Sequence, residues 1–296
     1  MFKAPKVNQA YICERFNRAI ALHMLKNILV KAETQVPLLL GIHGPSGEGK
    51  TFQCENALKN MGVKRFLISG GQLDNSINGD SAHIVRATYI RASESLRGGE
   101  CSLAVVLIND IDTGLGRASD DVQYTANQLI IFGELMHLVD YPNSVEGKDT
   151  QRVPIIITGN DFTKLYEPLV RAGRMSAFEW IPSLDERVEL VGAIFPELTA
   201  EEIRRLIKDL TAQLHQELLP EQRAIPIAFY AHLRSNLLDE DLWELVEQQG
   251  LNKTFDQILN GYEPDLAPGI VYERVLQKGV ELARSGQLIN HIKQTP

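Results

Sequence analysis

The sequence predicts an α/β fold in which a parallel sheet, covered by helices on both faces, is followed by a smaller all-helical region. Three observations carry this. Short apolar runs alternate with segments of helical period between residues 36 and 158, and strands joined through helices enforce right-handed crossovers and parallel pairing. A glycine-rich loop stands directly between the first apolar run and the helical segment after it. Beyond Trp180-Ile181-Pro182 no strong strand run appears, and helix-period patterns take over.

Residues 14–31 carry Phe16, Ile20, Leu22, Met24, Leu25, Ile28 and Leu29 near helical spacing, with no glycine or proline between them. That is the pattern of an amphipathic helix. Residues 36–42 form a short apolar run bounded by polar and Gly-rich sequence, which reads as a buried strand. A helix over 50–60 follows the glycine loop. Strands over 65–69, 102–108 and 153–158 then alternate with helices over 81–97 and 123–139. The second half predicts helices over 185–194, 199–215, 227–238 and 242–249, with one more at 270–283. The expected organisation is therefore an α/β domain over 1–182, a helical domain over 183–260 and a partly helical tail over 261–296.

A chain of 296 residues can bury a large core without disulfides or metals. Its 30 Lys and Arg against 38 Asp and Glu give a net charge of -8, which disfavours nucleic acid or an anionic membrane as partner. Cys13, Cys54 and Cys101 show no CxxC or Cys/His spacing, so a reducing compartment fits. No apolar run approaches the roughly 20 residues of a membrane span, and the N-terminus lacks the apolar stretch of a secretion signal. A cytoplasmic protein is expected. The seven histidines form no HExxH or close pair, which argues against metal-hydrolase chemistry.

Gly44–Thr51 reads GPSGEGKT and satisfies G-x-x-x-x-G-K-[ST] between a predicted strand and a predicted helix. Glycines allow the backbone to turn its N–H groups toward phosphate, and the helix N-terminus adds a favourable dipole. Lys50 is expected to reach the β- and γ-phosphates, and the Thr51 hydroxyl to ligate magnesium. Gly44, Ser46, Gly47, Glu48, Gly49, Lys50, Thr51 and Phe52 are the expected ATP-binding set.

Such a site needs an acidic group at the end of a neighbouring strand. The run Val105–Ile108 ends in Asn109-Asp110-Ile111-Asp112. Asn109 can bind a magnesium-coordinated water but brings no charge, so Asp110 is the expected base or water-positioning group, and Asn109 and Asp110 join Thr51 as metal-side candidates. Asp112 serves as a supporting or structural group, and carboxylates here could also cap a helix. The strand over 153–158 ends in Gly159-Asn160-Asp161, where Asn160 suits polarising a water beside the γ-phosphate. Arg171 and Arg174 lie in one compact turn, suited to a phosphate on a neighbouring subunit.

The order GPSGEGKT, IND-I-D, TGNDF, LVRAGRM resembles the layout of AAA+ ATPases. GIHGPSGEGKTFQCE, the Asn109-Asp110 pair and VPIIITGNDFTKLYEPLVRAGRM closely resemble the corresponding segments of the Rubisco activase family, and the resemblance extends over residues 5–245. It is to the cyanobacterial type, without the small-subunit-like C-terminal module. It implies an AAA+ P-loop domain followed by a helical lid, ATP and Mg2+ as cofactors, and a ring, commonly hexameric, that acts on the Rubisco large subunit and releases bound sugar phosphates. It further implies a cytoplasmic location, either free or within carboxysomes. By the same resemblance Asn160 is a sensor, Arg171 and Arg174 are arginine fingers, Arg234 is a second sensor, and Tyr124 is a pore-loop aromatic able to grip an extended peptide. As a bare residue, Tyr124 also reads as a partly buried helix tyrosine. Residues 72–80 and 141–150 depart from the family's loops, and Asn236 stands where the family has a further Arg. The altered stretch 72–80, together with helices after about residue 196 that diverge most from the family, leaves room for a nucleotide-regulated protein that binds or organises Rubisco with little or no activase activity.

Overall fold

In the computed structural model, residues 11–29, 35–74, 80–112, 126–214, 224–262 and 269–287 are described. They fall into two compact units, one Ile12–Ile181 and the other from Pro182 onward together with Tyr11.

In the first unit the apolar runs become five parallel strands: β1 (Leu39–His43), β2 (Lys64–Ser69), β3 (Ala104–Asn109), β6 (Ile155–Gly159) and β7 (Met175–Glu179), in the order β2-β3-β6-β1-β7. A two-residue hairpin, β4 (Ser144–Val145) with β5 (Lys148–Asp149), lies apart from them. Between the strands come α2 (Lys50–Asn60), α3 (Gly70–Asp74), α4 (Asp80–Arg97), α5 (Ala126–Asp140) and α6 (Glu167–Val170), and α1 (Glu14–Ile28) precedes them all.

Handedness distributes the helices. The step from β1 through α2 to β2 runs one way across the sheet, while the steps β2 to β3 and β3 to β6 run the other way. Right-handed crossovers therefore place α2 on one face and α4 and α5 on the opposite one. Val85, Tyr89, Ile131, Phe132 and Leu135 bury one face with Phe66, Ile68, Val106, Ile108, Ile155 and Ile157. The intervening strand residues Leu40, Ile42, Val105, Leu107 and Ile156 are also buried, and alternation turns them to the other face. All five strands of the sheet are parallel, so the residues after β1, β3 and β6 share one edge of it. The phosphate-loop motif opens there, at the end of β1, which lies beside β6, and the onward connections of these two strands run in opposite directions across the sheet.

The N-terminal helix is tied to the opposite edge. Asn27 donates to the Pro37 carbonyl at 3.1 Å, and Arg152 donates to Asn27 Oδ1 at 2.8 Å and to the Val36 carbonyl at 2.6 Å. His23 sits in this polar knot, 6% exposed. Burial, then the positive charges of Arg152 and Lys26, bring its pKa from 6.5 to about 4 against backbone hydrogen bonds at Ile155 and Leu38 that raise it.

In the second unit α7 (Leu184–Ile194) and α8 (Ala200–Gln213) each start with a reciprocal capping box, Ser183 with Glu186 and Thr199 with Glu202. They pack with α9 (Ile227–Gln249) and α11 (Tyr272–Leu282). A Cβ on Gly279 would stand 2.9 Å from Leu210 and 3.2 Å from Leu233, so the missing side chain lets α11 lie close on α8 and α9. The Tyr11 hydroxyl donates to Glu189 on α7. A short α10 (Leu251–Leu259) follows Gly250, whose φ of 85° ends α9.

Besides the short α3, α6 and the β4–β5 hairpin, which had no counterpart in the sequence expectation, three longer stretches differ from it. β7 was not anticipated, because only Met175 of its five residues is fully buried and its pattern carries no alternation. The helices expected over 227–238 and 242–249 are one helix, since Asp239-Glu240-Asp241 between them has no breaker. Residues 251–259, within the expected helical domain but with no helix of their own predicted, form α10. The expected pore aromatic Tyr124, and residues 75–79 of the altered loop, lie outside the described residues. No helix among the described residues is long and apolar enough to cross a membrane.

Because the folded pKa of His23 is depressed, its contribution is complete above 6.5 and is lost as pH falls toward 4. Urea unfolding should show this window costing on the order of 3 kcal/mol in the parent. His23→Leu should remove that component of the pH dependence.

Candidate nucleotide site

The loop after β1 is shaped by its glycines. Gly44 has φ 147°, and a Cβ there would stand 2.2 Å from the Trp180 carbonyl oxygen, so contact and conformation both exclude a side chain. Gly49 takes the left-handed conformation, φ 76°, as the N-cap of α2, with nothing nearby. Its requirement is conformational alone. Glu48 is buried, Ser46 is exposed, and Phe52 stands 57% exposed on the first turn of α2. Thr51 on the same turn is half-buried.

Lys50 is 5% exposed. A buried ammonium is tolerable only when its protons are accepted, and here the Gly44 carbonyl at 2.8 Å, the Pro45 carbonyl at 2.9 Å and Asn160 Oδ1 at 2.9 Å accept them. Burial lowers its pKa, and the nearby charges of Asp110, Asp112 and Glu48 hold it up.

Asn160 is set in place from behind. Asp112 Oδ2 accepts the Asn160 backbone N–H at 2.6 Å and that of Asp161 at 3.2 Å. The other oxygen, Oδ1, is buried without a hydrogen-bond partner among the described residues. A Cβ on Gly159 would stand 2.7 Å from the Phe162 ring and 3.1 Å from Asp112 Oδ1, so the strand end must be bare for both to approach. Phe162 in turn lies against His43, the rings tilted by 30° with centroids 5.1 Å apart. Asp112 thus joins the ends of β3 and β6, a role its position in the sequence only hinted at.

Asp110 adopts φ 52°, uncommon for a residue with a side chain. The bonds that hold it run to Thr158: the Asp110 N–H donates to Thr158 Oγ1 at 3.1 Å and the Ile111 N–H to the Thr158 carbonyl at 3.0 Å. Burial, then the charge of Asp112, raises the Asp110 carboxyl above the ordinary range, and Lys50 opposes the rise. A carboxylate raised in this way is a better proton acceptor. The Asn109 amide is committed elsewhere, accepting from Thr158 Oγ1 at 3.3 Å and donating to Glu55 Oε1 at 3.4 Å.

The two arginines are not at this edge. β7 pairs with β1 so that Met175 faces Leu39 and Glu179 faces His43. Arg171 and Arg174 precede β7 and lie at the amino edge, a strand length of roughly 15 Å from the phosphate loop. They also differ from each other. Arg174 donates to both Asp140 oxygens at 3.2 and 2.9 Å and to the Pro168 carbonyl at 3.0 Å. Arg171, 61% exposed, pairs among the described residues with Glu167 along its own turn. Arg234 belongs to the helical unit, where it holds Glu197 through two bonds of 2.7 Å.

The strand-edge site thus brings together Lys50, Asn160, Asp110 and the loop glycines. Sequence reasoning missed Trp180, whose indole donates to the Glu48 carbonyl at 2.8 Å, because the residue was read only as a domain boundary.

Residues 40–183 match the family model of AAA, the ATPase family associated with various cellular activities. The chain is 40% identical over 263 residues to the ribulose bisphosphate carboxylase/oxygenase activase of Anabaena sp. strain CA, a match covering 86% of this chain and 60% of that protein. It is 32% identical over 299 residues to the chloroplastic ribulose bisphosphate carboxylase/oxygenase activase 1 of Nicotiana tabacum, covering 97% of this chain and 64% of that protein. The chain therefore spans less than two thirds of the length of these relatives.

Asp112→Ala leaves two backbone donors without their acceptor and should destabilise the α/β unit by about 1–3 kcal/mol. Asp112→Asn, which keeps an oxygen in place, should lose less. Urea denaturation of the two variants beside the parent checks the order.

Proposed function

We propose that this chain, a Rubisco activase-like protein with an AAA ATPase-family domain over residues 40–183, hydrolyses ATP in a ring of copies and uses that turnover to remodel inhibited Rubisco and release bound sugar phosphates. The observation that carries the reading is the Lys50 ammonium, held between two loop carbonyls and Asn160 at the carboxyl edge of the sheet. That is a cation stored where the loop N–H groups and the α2 N-terminus also favour phosphate.

In this reading Gly44–Thr51 wraps the triphosphate, with Ser46, Gly47, Glu48 and Gly49 lending backbone, Phe52 offering an exposed ring to the nucleotide, and Lys50 turning to the β- and γ-phosphates. The residues fit a nucleotide-bound magnesium ion: the Thr51 hydroxyl and the Asp110 carboxylate would hold it, while Asn109 would reach one of its waters only on releasing Thr158 and Glu55. When bound, the ion neutralises phosphate charge and orients the γ-group. Asn160 orients the attacking water, and Asp110 accepts its proton. Asn160 keeps its aim because Asp112 fixes its backbone.

The arginines suit a site shared between copies. A side chain at the amino edge cannot reach a phosphate held at the carboxyl edge of the same sheet, so the phosphate that Arg171 or Arg174 touches belongs to another copy. Arg171 is the better finger of the two, being exposed and, among the described residues, held by its own turn. Arg174 shapes that turn against Asp140. Arg234 acts as the sensor of the helical lid, Tyr124 as the gripping aromatic, the ring is a hexamer, and the partner is the Rubisco large subunit in the cytoplasm or a carboxysome. The activase names of the relatives support this client.

Lys50→Ala should lower steady-state ATP turnover at least 100-fold and abolish recovery of sugar-phosphate-inhibited Rubisco. ATP turnover by the parent without any Rubisco recovery would overturn the remodelling part and leave the ATPase. The acid limb of the turnover profile should also move to lower pH in Asp112→Asn, since the charge of Asp112 helps to raise the Asp110 carboxyl.

A further inference from the structure

We infer that Trp180 is a positioning residue for the nucleotide, holding the phosphate loop from behind and sensing through its indole whether phosphate is bound there. The inference rests on the nucleotide reading above.

Trp180 is completely buried, and it meets the loop at both of its ends. Its backbone N–H donates to the His43 carbonyl at 2.7 Å, extending the pairing of β7 with β1 one residue past the strand. Its carbonyl oxygen occupies the place where a Gly44 side chain would stand. Its indole Nε1 donates to the Glu48 carbonyl at 2.8 Å, just before the glycine that caps α2. One residue therefore sets where the loop leaves the strand and where it enters the helix.

Trp180 is itself held by a shell of rings and charge. Phe16 meets the indole edge to face, centroids 4.9 Å apart at 88°, and Phe178 lies beside it at 6.2 Å. The Arg15 guanidinium sits 4.9 Å over the indole and donates to the Glu179 carbonyl at 3.3 Å and the Ile181 carbonyl at 3.0 Å, on either side of Trp180. Edge-to-face rings and a cation over an indole are both favourable arrangements. The α2 side chain of Gln53 accepts the Cys13 N–H at 2.8 Å, fastening the start of α1 to the helix that the loop begins.

The link to phosphate runs through Lys50. Its protons go to the Gly44 and Pro45 carbonyls, and a phosphate oxygen competes for them. As the ammonium turns to phosphate, the Gly44 and Pro45 peptides lose an acceptor role and re-orient against the Trp180 carbonyl. Glu48, the indole's partner, lies in the same short loop. The polar surroundings of a fully buried indole change, and indole emission follows such changes. The chain's other tryptophan, Trp243, is 59% exposed and donates to Glu247 on its own helix.

The test uses the full chain with ADP and with a non-hydrolysable ATP analogue, following tryptophan emission and titration calorimetry in parallel. Trp243→Phe should keep a nucleotide-dependent emission change whose midpoint matches the calorimetric Kd. Trp180→Phe should lose the change and, with the indole donor gone from the Glu48 carbonyl, bind nucleotide roughly three- to ten-fold more weakly. Flat emission from Trp243→Phe while calorimetry reports binding overturns this inference alone, and it does so without requiring Trp180→Phe to fold. Parent-like affinity in a folded Trp180→Phe also overturns it. No binding heat from the parent overturns the nucleotide reading and this inference together.

Discussion

The requirement that organises the site is electrostatic: an ammonium buried at the edge of a sheet must have acceptors for its protons. For Lys50 these are two loop carbonyls and Asn160, and much of the surrounding architecture serves to present them. Gly44 gives up a side chain so that the loop can bend against Trp180. Gly159 gives up another so that Asp112 and Phe162 can close on the end of β6 and fix the Asn160 backbone. The carboxylates of Asp110 and Asp112 oppose the loss of the Lys50 proton that burial would otherwise promote. Conversely, Lys50 opposes the rise in the Asp110 pKa.

Parallel pairing gives this edge its counterpart. When every strand runs the same way, one edge collects the loops after the strands and the other collects the segments before them. Lys50, Asn160 and Asp110 fall on the first edge, Arg171 and Arg174 on the second. In the proposed reading a single copy carries both halves of a phosphate site but cannot bring them together. Assembly of copies follows from that reading, which leaves one member of the arginine turn anchored to Asp140 and the other exposed.

What could be read from residues alone follows how local each signal is. The phosphate loop was legible because its glycines, lysine and threonine are consecutive and flanked by strongly patterned elements. The strands β1, β3 and β6 were legible because their burial on both faces writes a continuous apolar run. β7 was not, because an edge strand with Ser176, Ala177 and Glu179 partly or well exposed leaves little pattern. The bridging role of Asp112 and the seat of Trp180 depend on contacts 48 and 132 residues distant in sequence, which no local motif encodes. The difference between Arg171 and Arg174 likewise appears only once Asp140 is folded beside one of them.

The central claim is that each working site is divided between two copies, Lys50 from one and Arg171 from the next. The direct test mixes Lys50→Ala chains with Arg171→Ala chains, each inactive alone, and measures ATP turnover across mixing ratios. In randomly mixed rings an interface with both intact groups forms at equal ratio with a chance of about one quarter, so turnover should rise to roughly that fraction of the parent. A mixture that co-assembles yet stays inactive at every ratio would contradict the account.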